Sequence, residues 1–123
     1  MRRDGDYLSD IARSAQHLAL VTSDRGIDAL SDRSYLNDVV REILLIGQAC
    51  RELSDEFKSA RPAIPWRAIV AMRNLLVHRY HVIDDAAVWE AATVDVPELI
   101  RLLGELVAGD PSDPFEPDEP SAR

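Results

Sequence analysis

Leu36, Val39, Ile43, Ile46, Cys50, Leu53 and Phe57 recur at alternating spacings of three and four residues. On an α-helix that rhythm forms one continuous stripe; on a β-strand it scatters the same side chains over both faces. A helix is therefore expected through this segment. Val40, Leu44 and Gly47 widen the stripe beyond a two-stranded seam, as suits a helix packed on several sides within a bundle. Gly47 lets a neighbouring backbone come close, at about 1 kcal/mol of helix propensity relative to alanine.

The remaining segments read the same way. Leu8, Ile11, Ala15 and Leu18 repeat the spacing between Asp6 and Thr22. A third helix is expected to begin near Pro65, because proline is welcome in a first turn. A fourth begins after Asp84 or Asp85, either of which can cap it. Asp95-Val-Pro-Glu98 reads as a fresh start, with Asp95 as cap and Glu98 closing the box. Leu99, Leu102, Leu103, Leu106 and Val107 give that last helix its apolar face. No strand alternation and no internal repeat is found. The expected class is all-α, an antiparallel four- to five-helix bundle over residues 1–108. From Gly109 the pattern changes: Pro111, Pro114, Pro117 and Pro120 alternate with acids. Such a stretch can neither continue a helix nor bury a core, so 109–123 is expected to be a disordered acidic tail.

The chain has 123 residues, 46% of them hydrophobic, which suffices for one domain with a real core. No apolar run approaches a membrane span, and the arginines at positions 2 and 3 are followed by acids rather than by a leader's apolar stretch. A single cysteine, Cys50, rules out an internal disulfide and suggests a reducing, cytoplasmic setting. The net charge of −8 argues against a general nucleic-acid coat. Yet from Phe57 to Ile83 there is no acid, while Lys58, Arg61, Arg67, Arg73, Arg79, His78 and His81 all fall there. A basic window in an acidic chain is a candidate anion site.

Within that window, Trp66, Ile69, Val70, Leu76, Val77 and Tyr80 share one arc of a helical wheel, and Arg73 sits near its middle. A guanidinium does not give up its proton, so burying it unpaired is expensive. Either it pairs with an acid, Glu42 or Glu52 of the preceding helix, or the arc faces a cleft or another subunit. Asn74 and His78, four apart, adjoin Arg67 and the small Ala71 on a second face, as the floor of a shallow site would. His78 and His81 are three apart, but the spacing sets no third ligand. No metal and no cofactor are assigned.

Arg73, His78 and Tyr80 match the R-x4-H-x-Y motif, and here the chain resembles the HEPN-domain ribonucleases, specifically the HepT-like toxins. The segments NDVVREILLIGQACRELSDEF, IPWRAIVAMRNLLVHRY and VWEAATVDVPELI resemble successive helices of that family, covering about Asn37 to Ile100. The resemblance implies a helical bundle that dimerises around the motif helix. It implies a metal-independent endoribonuclease, the toxin of a toxin–antitoxin pair. It also implies a partner, a minimal nucleotidyltransferase antitoxin (MntA-like) that attaches AMP to Tyr80. One departure stands out: many members have Glu between the histidine and the tyrosine, where this chain has Arg79.

On that footing His78 is the expected general acid or base, and Arg73 the phosphate ligand that stabilises the transition state. Asn74, Arg79 and Arg67 are expected to support substrate binding, with RNA as substrate and its own 2′-OH as nucleophile. A non-catalytic dimer that binds nucleotides or docks the nucleotidyltransferase is the alternative. A twofold interface would place two copies of Arg73 and of His78 in one groove.

Overall fold

The computed structural model describes residues 2–79, 82 and 84–104. The order is α1 (Asp4–Thr22), a 3₁₀ segment (Ile27–Ser31), α2 (Arg33–Glu52), the short α3 (Asp55–Ser59), α4 (Trp66–Arg79), α5 (Asp85–Glu90), a π segment (Ala91–Asp95) and α6 (Val96–Leu103). The described residues contain no strand, so the all-α expectation holds. Tyr80, His81 and the whole of 109–123 lie outside the described residues.

Local chemistry explains most helix ends. The Asp6 carboxylate reaches back to the Arg3 amide (2.9 Å) at the start of α1. Asp32 accepts from the amides of Ser34 and Tyr35 at the start of α2. Asp84 caps α5 by accepting from the Ala86 amide (3.2 Å), as expected. Lys58 donates its ammonium to the carbonyls of Cys50 and Arg51, closing the last turn of α2.

α1 and α2 pack antiparallel. The Ser54 amide and hydroxyl, just past α2, donate to the Asp4 carboxylate at the start of α1 (2.8 and 2.7 Å). At the other end the Tyr35 hydroxyl, in the first turn of α2, donates to the Val21 carbonyl near the end of α1 (2.7 Å). α2 is the centre of the bundle: it packs against α1 on one side and α4 on another, while α1 also meets the π segment and α6. Val39, Val40, Ile43, Ile46, Ala49 and Cys50 of its stripe are buried among Ile11, Leu18, Leu76, Val88 and Leu99. Cys50 is fully buried, and burial pushes its thiol pKa up to about 12 against the opposing pull of Lys58. It is a packing residue with no thiolate character.

Two boundaries differ from expectation. The stripe from Leu36 to Phe57 is not one helix. Leu53 leaves helical geometry (φ −60°, ψ 148°), and Ser54 caps α3 by accepting from the Phe57 amide (3.0 Å). The second correction concerns Asp95, which starts no new helix. Its backbone is helical (φ −70°, ψ −43°) and its side chain caps nothing. Glu98 pairs with Arg101 instead of closing a box. The chain runs from α5 into α6 through the π segment. Pro97 has no N–H and its ring crowds the carbonyl four residues back, that of Thr93. A wider turn upstream makes room for it, and π turns are a recognised cause of helix bending.

Candidate active site

α4 is anchored firmly at its start. The Trp66 indole N–H is shared between the carbonyls of Lys58 and Arg61, each at 3.1 Å. Its ring meets Phe57 edge-on at 6.1 Å between centroids, and the Arg61 guanidinium lies over the other aromatic, 3.9 Å from the Phe57 centroid. Beyond this anchor the helix buries little. Among its described residues only Leu76 is fully buried, Trp66, Ile69 and Val70 are partly so, and Leu75 and Val77 are exposed. Of the described residues on the apolar arc read from the wheel, Leu76 is covered, Trp66, Ile69 and Val70 are half-covered and Val77 is left open, while Leu75 lies on the opposite side of the helix.

Arg73 sits where α4 crosses α2. A Cβ built on Gly47 would lie 2.4 Å from Arg73 Cβ and 2.8 Å from its Cγ. The glycine is there because the base of the arginine occupies the space a side chain would need. The stem of Arg73 is thus held against α2, while its head leans along α4 to donate to Asn74 Oδ1 at 2.8 Å. Among the described residues it makes no ion pair. Glu42 is engaged by Arg41 and His17, and Glu52 accepts from the Gln48 amide at 3.1 Å. An internal pair with either acid is not formed, and among the described residues the guanidinium of this half-buried arginine has no carboxylate partner.

Arg67, Ala71, Asn74 and His78 are all exposed, so the face grouped around the alanine opens to solvent. Asn74 and His78 are one turn apart on it. Arg73 and His78, five apart, stand about 140° round and about 7.5 Å along the helix, so straight stacking is not available to them. His78 and Arg79 lie in the last turn. A helix C-terminus welcomes cations and offers no amides to an anion, so any phosphate here must be held by side chains. The basic window divides accordingly. Lys58 and Arg61 are committed to holding α2, α3 and Phe57 in place. Arg67 and Arg79 are exposed and, among the described residues, unpaired by any acid.

Sequence patterning passed over a different cluster. His17 of α1 meets Asp38 and Glu42 of α2 on the side of α2 away from α4. No local spacing announces it, because its members come from two helices. The part of the R-x4-H-x-Y pattern within the described residues, Arg73 and His78, lies on one helix beside Asn74.

Comparison with known proteins bears on the same helix. A family model described as "Ribonuclease HepT-like" matches residues 11–106. The "Probable ribonuclease HepT" of Thermococcus cleftensis is 33% identical over 99 residues, covering 80% of this chain and 90% of its own. The "Putative RNase MJ1380" of Methanocaldococcus jannaschii is 31% identical over 94 residues, covering 76% and 86% respectively. No solved structure matches.

Proposed function

The chain belongs to the ribonuclease HepT-like family, and from that premise we propose that it is an endoribonuclease whose chemistry is carried by Arg73 and His78. The observation that supports this most is the state of Arg73: a guanidinium fixed at its stem by Gly47, braced by Asn74, and not neutralised by any carboxylate of the described residues. An arginine held so is charged, positioned and available to a phosphate.

RNA supplies the nucleophile. His78 takes the proton of the 2′-OH while the 2′-oxygen bonds to phosphorus, and the bond to the 5′-oxygen breaks. A second acid, His78 of the other subunit in a twofold dimer, returns a proton to the leaving oxygen. Arg73 stabilises the charge that builds on the non-bridging oxygens. Arg79 and Arg67 hold flanking phosphates, and Asn74 orients Arg73. The scheme uses no metal.

The biological role is that of a toxin. Its partner is a minimal nucleotidyltransferase that silences it by adding AMP to Tyr80. That residue follows His78 by two positions, so a phosphate on it competes with RNA for Arg73 and Arg79. Co-expression with the transferase should raise the intact mass by whole AMP units, and Tyr80→Phe should remove the increments.

The reaction itself is tested by its products. In EDTA, the purified protein should leave 2′,3′-cyclic phosphate and 5′-hydroxyl ends. A substrate 2′-deoxy at the cleaved position should survive. Cleavage of the deoxy substrate, or loss of all activity in EDTA, would remove the 2′-OH mechanism.

A further inference from the structure

The His17, Asp38 and Glu42 cluster lies apart from α4. Asp38 and Glu42 are one turn apart on α2, and Gly47, which meets Arg73, is about 140° round that helix from Glu42. His17 comes across from α1. Its Nε2 is 3.4 Å from Asp38 Oδ2 and 3.7 Å from Glu42 Oε2. One ligand atom from each residue lies within 4.8 Å of the others. A tetrahedral zinc ion, with bonds of about 2.0–2.2 Å, holds its ligand atoms roughly 3.3–3.6 Å apart. The cluster is close to that size already.

Two further observations point outward from the cluster to a ligand. Glu42 is a charged residue only 5% exposed, and the contacts that Arg41 and His17 make with it both fall on Oε2. Its second oxygen receives none of them. Gln48 Oε1, on the same open groove of about 840 Å³, is buried with no partner among the described residues. The groove around the cluster is thus lined by polar and charged side chains.

We infer that His17, Asp38 and Glu42 form a binding site for a divalent transition metal ion, zinc being the best match, which straps α1 to α2. One imidazole and two carboxylates suit zinc, manganese, cobalt or nickel better than magnesium or calcium, which favour all-oxygen shells. Two carboxylate charges balance the ion's two. Arg41, which touches Glu42 Oε2 at 3.3 Å, is mostly exposed and free to swing into solvent when the ion arrives. The fourth position belongs to water or to Glu42 Oε1. The ion has no part in cleaving RNA, since the site faces away from Arg73.

The full chain, stripped with EDTA and dialysed, is titrated with zinc chloride by calorimetry and by thermal scan. One ion per chain and a rise of several degrees in Tm are expected. His17→Gln and Asp38→Asn, both at exposed or half-exposed positions, should each weaken binding at least tenfold while leaving the metal-free Tm nearly unchanged. His78→Ala should bind as the parent does. Failure to bind zinc at micromolar concentration, equal binding by the two cluster variants, or loss of binding on His78→Ala would overturn the assignment. RNA cleavage in EDTA is scored separately, so the fate of this site and that of the proposed ribonuclease are distinguishable.

Discussion

Gly47 carries more of the site than its size suggests. With Arg73 Cβ 2.4 Å from where its own Cβ would be, Gly47→Ala forces α4 away from α2. Overpacking of this kind costs about 1–3 kcal/mol, and because the atoms displaced belong to Arg73, activity should fall further than stability alone explains. A melting curve and a cleavage rate on the same sample check both. Arg73→Lys keeps the charge but loses the planar fork that reaches Asn74 and clamps two phosphate oxygens. Its cleavage rate should drop by about tenfold or more with little change in Tm. The close approach at Gly47 was legible from the sequence, since a glycine on an otherwise apolar stripe has few other reasons. Which residue would approach it was not, because that depends on the crossing of two helices. Of the two alternatives open for Arg73, the pair with Glu42 or Glu52 is the one not formed, because both acids are engaged elsewhere.

At the scale of elements, the joint after α2 shows how a periodic pattern misleads. Leu53 and Phe57 keep the rhythm of the stripe, yet the helix stops between them. Ser54 with Asp55 and Glu56 is a good N-terminus, and a single hydroxyl both caps α3 and donates to Asp4. Ser54→Ala should therefore destabilise the fold by about 1–2 kcal/mol, near the upper range for a lost cap, as read from urea unfolding. The bonds from Ser54 lower the Asp4 pKa below its ordinary 3.8. A carboxylate with a depressed folded pKa contributes stability that is complete above the unfolded value and drains away as pH falls through the folded one. The stability difference between parent and Asp4→Asn should hold from neutral pH down to about pH 4 and shrink below it. The run through Asp95 misled in the other direction. Asp, Pro and Glu spell a helix start, but the π segment lets the helix continue past Pro97, and nothing in local composition distinguishes the two outcomes.

For the whole molecule, the feature with most consequence is the arc that α4 leaves uncovered. Val77 of that arc is 46% exposed, and Ile69, Val70 and Arg73 beside it are only half-buried. A homodimer that pairs these arcs would cover them and bring two sets of basic side chains into one groove. Light scattering should give twice the chain mass at micromolar concentration, and Val77→Asp should give the monomer with little activity. The bundle itself was legible, because the 3-4 rhythm of α1, α2 and α6 needs no tertiary knowledge. The candidate site was legible in part: Arg73, Asn74 and His78 stand out on a helix wheel, while the engagement of Lys58 and Arg61 in structural contacts appears only in three dimensions. The central claim, that this face of α4 cuts RNA, meets its most direct test in one comparison. Parent and His78→Ala are purified as dimers of equal Tm and incubated with the same end-labelled RNA in EDTA. Removal of a general acid–base should slow cleavage by about 10²–10⁴. Cleavage at the parent's rate by the folded His78→Ala protein would contradict it.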